Sequence, residues 1–127
     1  MRARVFDYVV GIDRGGRMTV PGGAEIAAPE GWTADHLLLA ALVRCSIDSL
    51  VFHARRAGHD VSATGEGRGT VTKRDDGRYA FVEIAVRVDA QLTPRAESFA
   101  ELLEKAERDC FVGATLNVEP EYEWHVS

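Results

Sequence analysis

Apolar and polar positions change period several times along the chain, and each change marks an element. From Ala3 to about Val20 the pattern is strand-like, broken by Asp13-Arg14-Gly15-Gly16, which reads as a turn between two strands. Pro21-Gly22-Gly23 is a second break, and Ala24 to Gly31 reads as an irregular connection or a short strand. Thr33 then has the chemistry of a helix N-cap, with Asp35 well placed against the helix dipole. Ala34 to Ala57 contains neither Pro nor Gly, its basic residues His53, Arg55 and Arg56 fall near the end, and Gly58 suits a left-handed stop. Leu37 to Val43 is apolar on every side, which predicts a buried helix running through the middle of the molecule. At 1.5 Å per residue it is roughly 35 Å long. That is long for so small a core, and points to a second subunit helping to bury it.

Val61 to Lys73 and Tyr79 to Leu92 read as a hairpin turning at Arg74-Asp75-Asp76-Gly77-Arg78. In the second of these strands Ala80, Val82, Ile84, Val86, Val88, Ala90 and Leu92 alternate with mostly polar residues, so one face is buried. Thr93 and Pro94 read as an N-cap and first-turn pair opening a second helix to about Asp109. That helix has an apolar stripe of Ala96, Phe99, Leu102, Leu103 and Ala106 ending at Cys110. A last strand alternates Val118, Tyr122, Trp124 and Val126 with Glu119, Glu121, Glu123 and His125. Strands joined mostly as hairpins, with two helices between them, predict an α+β fold with antiparallel sheets.

Composition narrows the class further. The chain has 127 residues, 46% hydrophobic and 28% charged, which suits one domain spanning residues 1–127. The net charge is −5, with no basic block to offset it, which disfavours a nucleic acid or an anionic membrane as partner. The N-terminal apolar run is broken by Asp7, too short for a signal-peptide core or a membrane span, so a cytoplasmic protein is expected. Two cysteines in that compartment are reduced thiols or a transient catalytic pair rather than a structural bridge.

Candidate chemistry therefore centres on Cys45, in the second half of the long helix, and Cys110, at the end of the second. The default for either is a small core hydrophobe. As a pair on two packed helices they suit peroxide chemistry, in which one thiolate becomes a sulfenic acid and the other condenses with it. The attacking thiol needs a nearby cation. Arg44 points elsewhere and pairs more naturally with Asp48, leaving the arginines of the Arg14 to Arg17 turn. The four histidines show no metal spacing, and no cofactor is expected. Gly65-Glu66-Gly67-Arg68-Gly69 lacks the Lys-Ser/Thr and helix of a phosphate loop and reads as a strand with bulges. Ser46 and Ser49 read as ordinary polar residues of the helix. Trp32, Phe52 and Trp124 are either core or the wall of an apolar pocket.

The run Thr33-Ala34-Asp35-His36-Leu37-Leu38-Leu39-Ala40-Ala41-Leu42-Val43-Arg44-Cys45 resembles the first-cysteine motif of the OsmC/Ohr family, N-P-E-x-L-x-x-A-x-x-x-x-C. Leu103-Glu104-Lys105-Ala106-Glu107-Arg108-Asp109-Cys110 resembles the second, L-x-x-K-A-x-x-x-C, and the elements between fall in the family's order. The resemblance implies an intertwined homodimer with active sites at the subunit interface. It implies reduction of organic hydroperoxides, with an external dithiol such as a lipoyl group as reductant. Cys45 matches the peroxidatic cysteine and Cys110 the resolving one. Arg14, or Arg17 in another register, matches the catalytic arginine, and Asp35 the acid that orients it. Three positions depart from the motifs: Asp35 replaces Glu, Phe111 stands where Pro is frequent, and Gly113 where Ser is common. The altered loop and shortened acid leave a second reading open, a non-catalytic protein binding a small apolar or acyl ligand at the dimer interface.

Overall fold

The computed structural model describes residues 3–127 and divides into two units, Met1–Thr33 and Ala34–Ser127. In the first, β1 (Gly11–Ile12), β2 (Arg17–Thr19) and β3 (Glu25–Ala27) form an antiparallel sheet in that order. The β1–β2 turn is held by Asp13, whose Oδ1 accepts the backbone N–H of Gly15 at 2.8 Å and of Arg17 at 2.9 Å. An aspartate side chain substituting for a backbone acceptor is a common turn device. The expected long strand from Ala3 is corrected: residues 3–10 lie in no strand and β1 has two residues. Alternation places side chains on two faces, but a strand exists only where a neighbour takes its backbone hydrogen bonds.

The second unit opens with α1 (Ala34–Arg56), which ends as expected at Gly58, φ +91°. Gly58 N donates to Arg55 O at 3.0 Å and His59 N to Ala54 O at 2.9 Å, closing the last carbonyls. Leu42, Ser46, Ser49, Leu50 and Ala54 form its buried stripe, while Ala40, Ala41 and Arg44 are exposed. The expectation of a helix buried all round is thus corrected for the single chain, because the sheet offers α1 one face to lie on. By length and composition α1 is apolar enough to cross a membrane, a test that core helices of soluble proteins also pass.

After α1, β4 (Asp60–Lys73) pairs antiparallel with β5 (Tyr79–Thr93). The glycines of β4 are not a phosphate loop but a seat for the helix. A Cβ at Gly65 would lie 2.6 Å from Val43 Cγ1, and one at Gly67 would lie 2.9 Å from Val43 Cγ2. A Cβ at Gly69 would run into the Phe81 ring. Three missing side chains, two residues apart on one face, let α1 approach the strand backbone.

On β5, Ile84, Val86, Val88, Ala90 and Leu92 are buried as the alternation predicts, but Val82 is not. A register shift at Thr70/Val71 pairs Val71 with Phe81 and skips Val82. The bulge turns Phe81 toward the helix side and Val82 outward.

The second helix, α2 (Ala100–Arg108), starts later than the Thr93-Pro94 pair predicts. Thr93 instead completes the ladder opposite Asp60, and Phe99 occupies the N-cap without a side-chain bond. A short α3 (Phe111–Thr115) and β6 (Glu121–Val126) follow. β6 pairs with β5 in parallel, giving the order β4-β5-β6. The link through α2 and α3 is a crossover, long enough to return the chain in the same direction. The fold is α+β, with α1 packed on β4 and β5 and against α2 and α3. Its core gathers Leu42, Leu50, Ile84, Val86, Val88, Ala90, Ala106 and Cys110.

Candidate functional site

The break between α2 and α3 puts Cys110 at the centre of this core. Cys110 is the N-cap of α3 and is 0% exposed, and its Sγ accepts the backbone N–H of Gly113 at 3.4 Å. Two contacts from α1 anchor the segment. Ser49 Oγ donates to Ala106 O at 2.8 Å, and His53 Nε2 lies 2.7 Å from Asp109 Oδ2. Arg108 adds two bonds to the same carboxylate, each 3.0 Å. The Arg108 hydrogen bonds first, and His53 after them, hold the Asp109 carboxyl down at about 2. A thiol that directly follows two such anchors is held in place relative to α1.

Cys45 faces it from α1. Cys45 is half-buried, packs against the core cluster, and its thiol interacts directly with Cys110. The backbone N–H groups of Val112 and Phe111, in the first turn of α3, donate to its sulfur. Burial nevertheless pushes the Cys45 thiol up; the Val112 donor pulls it down, and Cys110 adds to the rise. None of these contributions comes from a cation, so this unit alone does not activate the thiol.

Around the pair lie groups the sequence did not single out. Ser46 is buried; its hydroxyl donates to Leu42 O at 2.8 Å and sits 3.7 Å from Cys110 Sγ. Ser46 and Ser49 are therefore not the ordinary polar helix residues expected, but buried and bonded ones. Their signal was present as two hydroxyls on the apolar face at i, i+3. Tyr122, from β6, brings its hydroxyl to Ser46 and Cys110. The space for it exists because residue 113 is Gly: a Cβ there would lie 2.7 Å from the Tyr122 hydroxyl and 3.4 Å from Cys110 Sγ. Burial first, and the neighbouring Cys110 second, push Tyr122 up to about 12, so it is a neutral phenol. Its ring stacks on Trp124 at 5.8 Å, and Trp124 Nε1 donates to Glu107 Oε1 at 2.7 Å.

The other expected site residues stand elsewhere. Asp35 is exposed in the first turn of α1, ten residues before Cys45, so roughly 15 Å along the same axis. Arg14 belongs to the first unit, where it lies exposed in the β1–β2 turn; Arg17 opens β2 and pairs with Glu25 at 4.0 Å. Arg44 pairs with Asp48 at 3.2 Å, as its spacing predicts. Phe52 is exposed with the Arg56 guanidinium 5.5 Å above its ring, so it is not core. Among the described residues no group of three His, Cys, Asp or Glu side chains could hold a metal ion.

Comparison with known proteins agrees with this architecture. An OsmC-like protein of unknown function from Vibrio cholerae superposes with a TM-score of 0.75 at 16% identity, covering 96% of this chain and 99% of that one. The organic hydroperoxide resistance protein OsmC of Legionella pneumophila gives 0.62 at 18% identity, covering 98% and 99%. The organic hydroperoxide resistance protein OhrB of Bacillus subtilis gives 0.55 at 20% identity, covering 95% and 96%. At such identities the likeness establishes the fold. No curated protein sequence matches the chain. Residues 27–125 match the family described as OsmC-like protein, well over half the chain, and the chain belongs to that family.

Proposed function

We propose that the protein is a cysteine-based thiol peroxidase that reduces organic hydroperoxides in oxidative stress defence. The observation that carries this reading is the direct approach of Cys45 to Cys110 across the α1–α3 contact. The Cys45 thiolate attacks the O–O bond, the alcohol leaves, and Cys45 becomes a sulfenic acid. Cys110 then attacks that sulfur; the S–S bond forms, the S–O bond breaks and water leaves. An external dithiol, of the lipoyl kind, restores both thiols by exchange. The exposures of the pair suit the order of events, since the half-buried Cys45 meets the peroxide and the fully buried Cys110 does not.

The burial-raised thiol needs a cation, and Arg14, with Arg17 as the alternative, supplies it in this reading, with Asp35 orienting the guanidinium. Asp35 cannot act on the Cys45 of its own helix across roughly 15 Å. It therefore serves the site of a second copy, in a cytoplasmic homodimer. The exposed apolar residues of α1 and of the first unit supply surface for such a partner. Stopped-flow oxidation of the reduced protein by an organic hydroperoxide and by hydrogen peroxide tests the proposal. Fast oxidation selective for the organic peroxide, ending in a Cys45–Cys110 disulfide by mass spectrometry, supports it. Oxidation no faster than that of a free thiol sinks it.

A second reading has its own observation. Burial raises the Cys45 thiol within its unit, and the start of α3, directly after Cys110, carries Phe111 and Gly113. On that ground the same scaffold holds a small apolar or acyl ligand at the interface without catalysis. A ligand that co-purifies with peroxide-inert thiols is the outcome that selects it.

A further inference from the structure

Cys110 has an unusual polar environment for a fully buried thiol. Ser46 has committed its one hydroxyl proton to Leu42 O, so toward Cys110, 3.7 Å away, it offers an acceptor. Gly113 N–H is a donor to Cys110 Sγ at 3.4 Å. The third group is the Tyr122 hydroxyl, brought in on the rigid Tyr122–Trp124 stack that Glu107 holds. Gly113 matters twice here: its N–H reaches the sulfur, and its missing Cβ leaves room for the phenol. Any larger residue at 113 would place an atom 2.7 Å from that oxygen.

We propose that Tyr122 is a positioning residue for the second thiol: its hydroxyl, lodged over Gly113, hydrogen-bonds Cys110 Sγ and favours the thiolate that attacks Cys45. The Ser46 oxygen accepts the S–H bond of the resting thiol. When that proton leaves, the Tyr122 and Gly113 donors face the resulting anion. The thiolate displaces hydroxide from the Cys45 sulfenic acid, and the departing hydroxide and the released proton leave together as water. A phenol that stays neutral through the working range of thiols remains a donor throughout. The titratable groups facing Cys110 are Cys45 from α1 and Tyr122 from β6, with Glu107 of α2 acting on Tyr122.

This assignment rests on the two-thiol reading above, and its test avoids peroxide so that the two can fail separately. Reduced protein is mixed with dithio-bis-nitrobenzoate. The accessible Cys45 releases one nitrothiobenzoate and keeps the other as a mixed disulfide; Cys110 then attacks Cys45 Sγ and releases the second. The rate of the second release is followed against pH in the native protein, in Tyr122→Phe, which keeps the ring stack, and in Gly113→Ala, which drives the hydroxyl off from the other side. Loading of Cys45 is read in each protein from the first release. Loss of a donor to a thiolate should slow the second release about tenfold near neutral pH. It should also move the midpoint of the pH profile upward in both variants. A change that only loosened the packing would lower the rate without moving the midpoint. A midpoint left in place in Tyr122→Phe overturns the assignment whatever the rate, and so does the absence of any second release from the native protein.

Discussion

In the unit of residues 34–127, Leu42 and Leu50 are 0% exposed and Val86 and Val88 1%. In the unit before it, Val5, Tyr8, Val9 and Ile12 keep 81, 77, 68 and 69% of their surface open. The residue types are alike; what differs is whether their own unit supplies a surface to bury them. Unit 34–127 has a helix seated on a glycine trough and a crossover packed beside that seat, against Ser46, Ser49 and His53. In the first unit the three short strands have no layer to cover them, and no described residue there is buried. Ordering a segment costs backbone entropy, and a segment that buries nothing has little to offset that cost. The comparison separates the part of the molecule that buries a core of its own from the part that does not.

The largest effect expected belongs to the self-sufficient unit. Cys45→Ser should bring hydroperoxide consumption down to that of buffer with dithiol alone, and retained turnover would move the chemistry out of this unit. Next, Leu50→Ala should cost roughly 2–5 kcal/mol of unfolding free energy in a denaturant titration. Ile26→Ala in the first unit should cost within about 0.5 kcal/mol at dilutions where the chain is a monomer. A large cost there at high dilution breaks the comparison; a cost that grows with protein concentration sharpens it.

Gly67→Ala tests the seat of α1. The added methyl meets Val43 at 2.9 Å and Leu39 O at 3.4 Å, so a loss of about 1–3 kcal/mol is expected in the same titration. The smallest effect is a pH dependence. Asp109 is held at about 2, below its ordinary value, chiefly by Arg108 and then by His53. A lowered carboxyl favours the charged form in the fold, so its contribution is full above the unfolded value of about 3.9 and is lost as pH falls toward 2. Asp109→Asn should flatten the stability profile in that acid window and lower stability by the full contribution of the carboxylate near neutrality. Thermal melts across that range provide the check.

Much of this was legible beforehand. The stop of α1 at Gly58, the hairpin turn at Asp76-Gly77 and the exposed face of β6 all follow from local signals that act within a few residues. That two thiols on two packed helices suit a redox pair was readable from the residues, and their match to the family's two cysteines from the resemblance. Other features were hidden because they depend on what lies opposite. Val82 looked as buried as Ile84 until the bulge opposite Thr70 and Val71 shifted the register. The parallel placement of β6 depends on a crossover that no alternation encodes.

Sequence alone determined the long helix, the β4–β5 hairpin, the last strand, the two cysteines, and the motifs that resemble the family's, because those rest on residue identity and short-range period. Only the tertiary structure decided that the glycines of β4 are a seat for α1, and that Ser46 and Tyr122 meet at Cys110. It also decided which face of α1 is covered. Each of these is a contact between residues far apart in the chain, fixed by packing in three dimensions rather than by propensity along one.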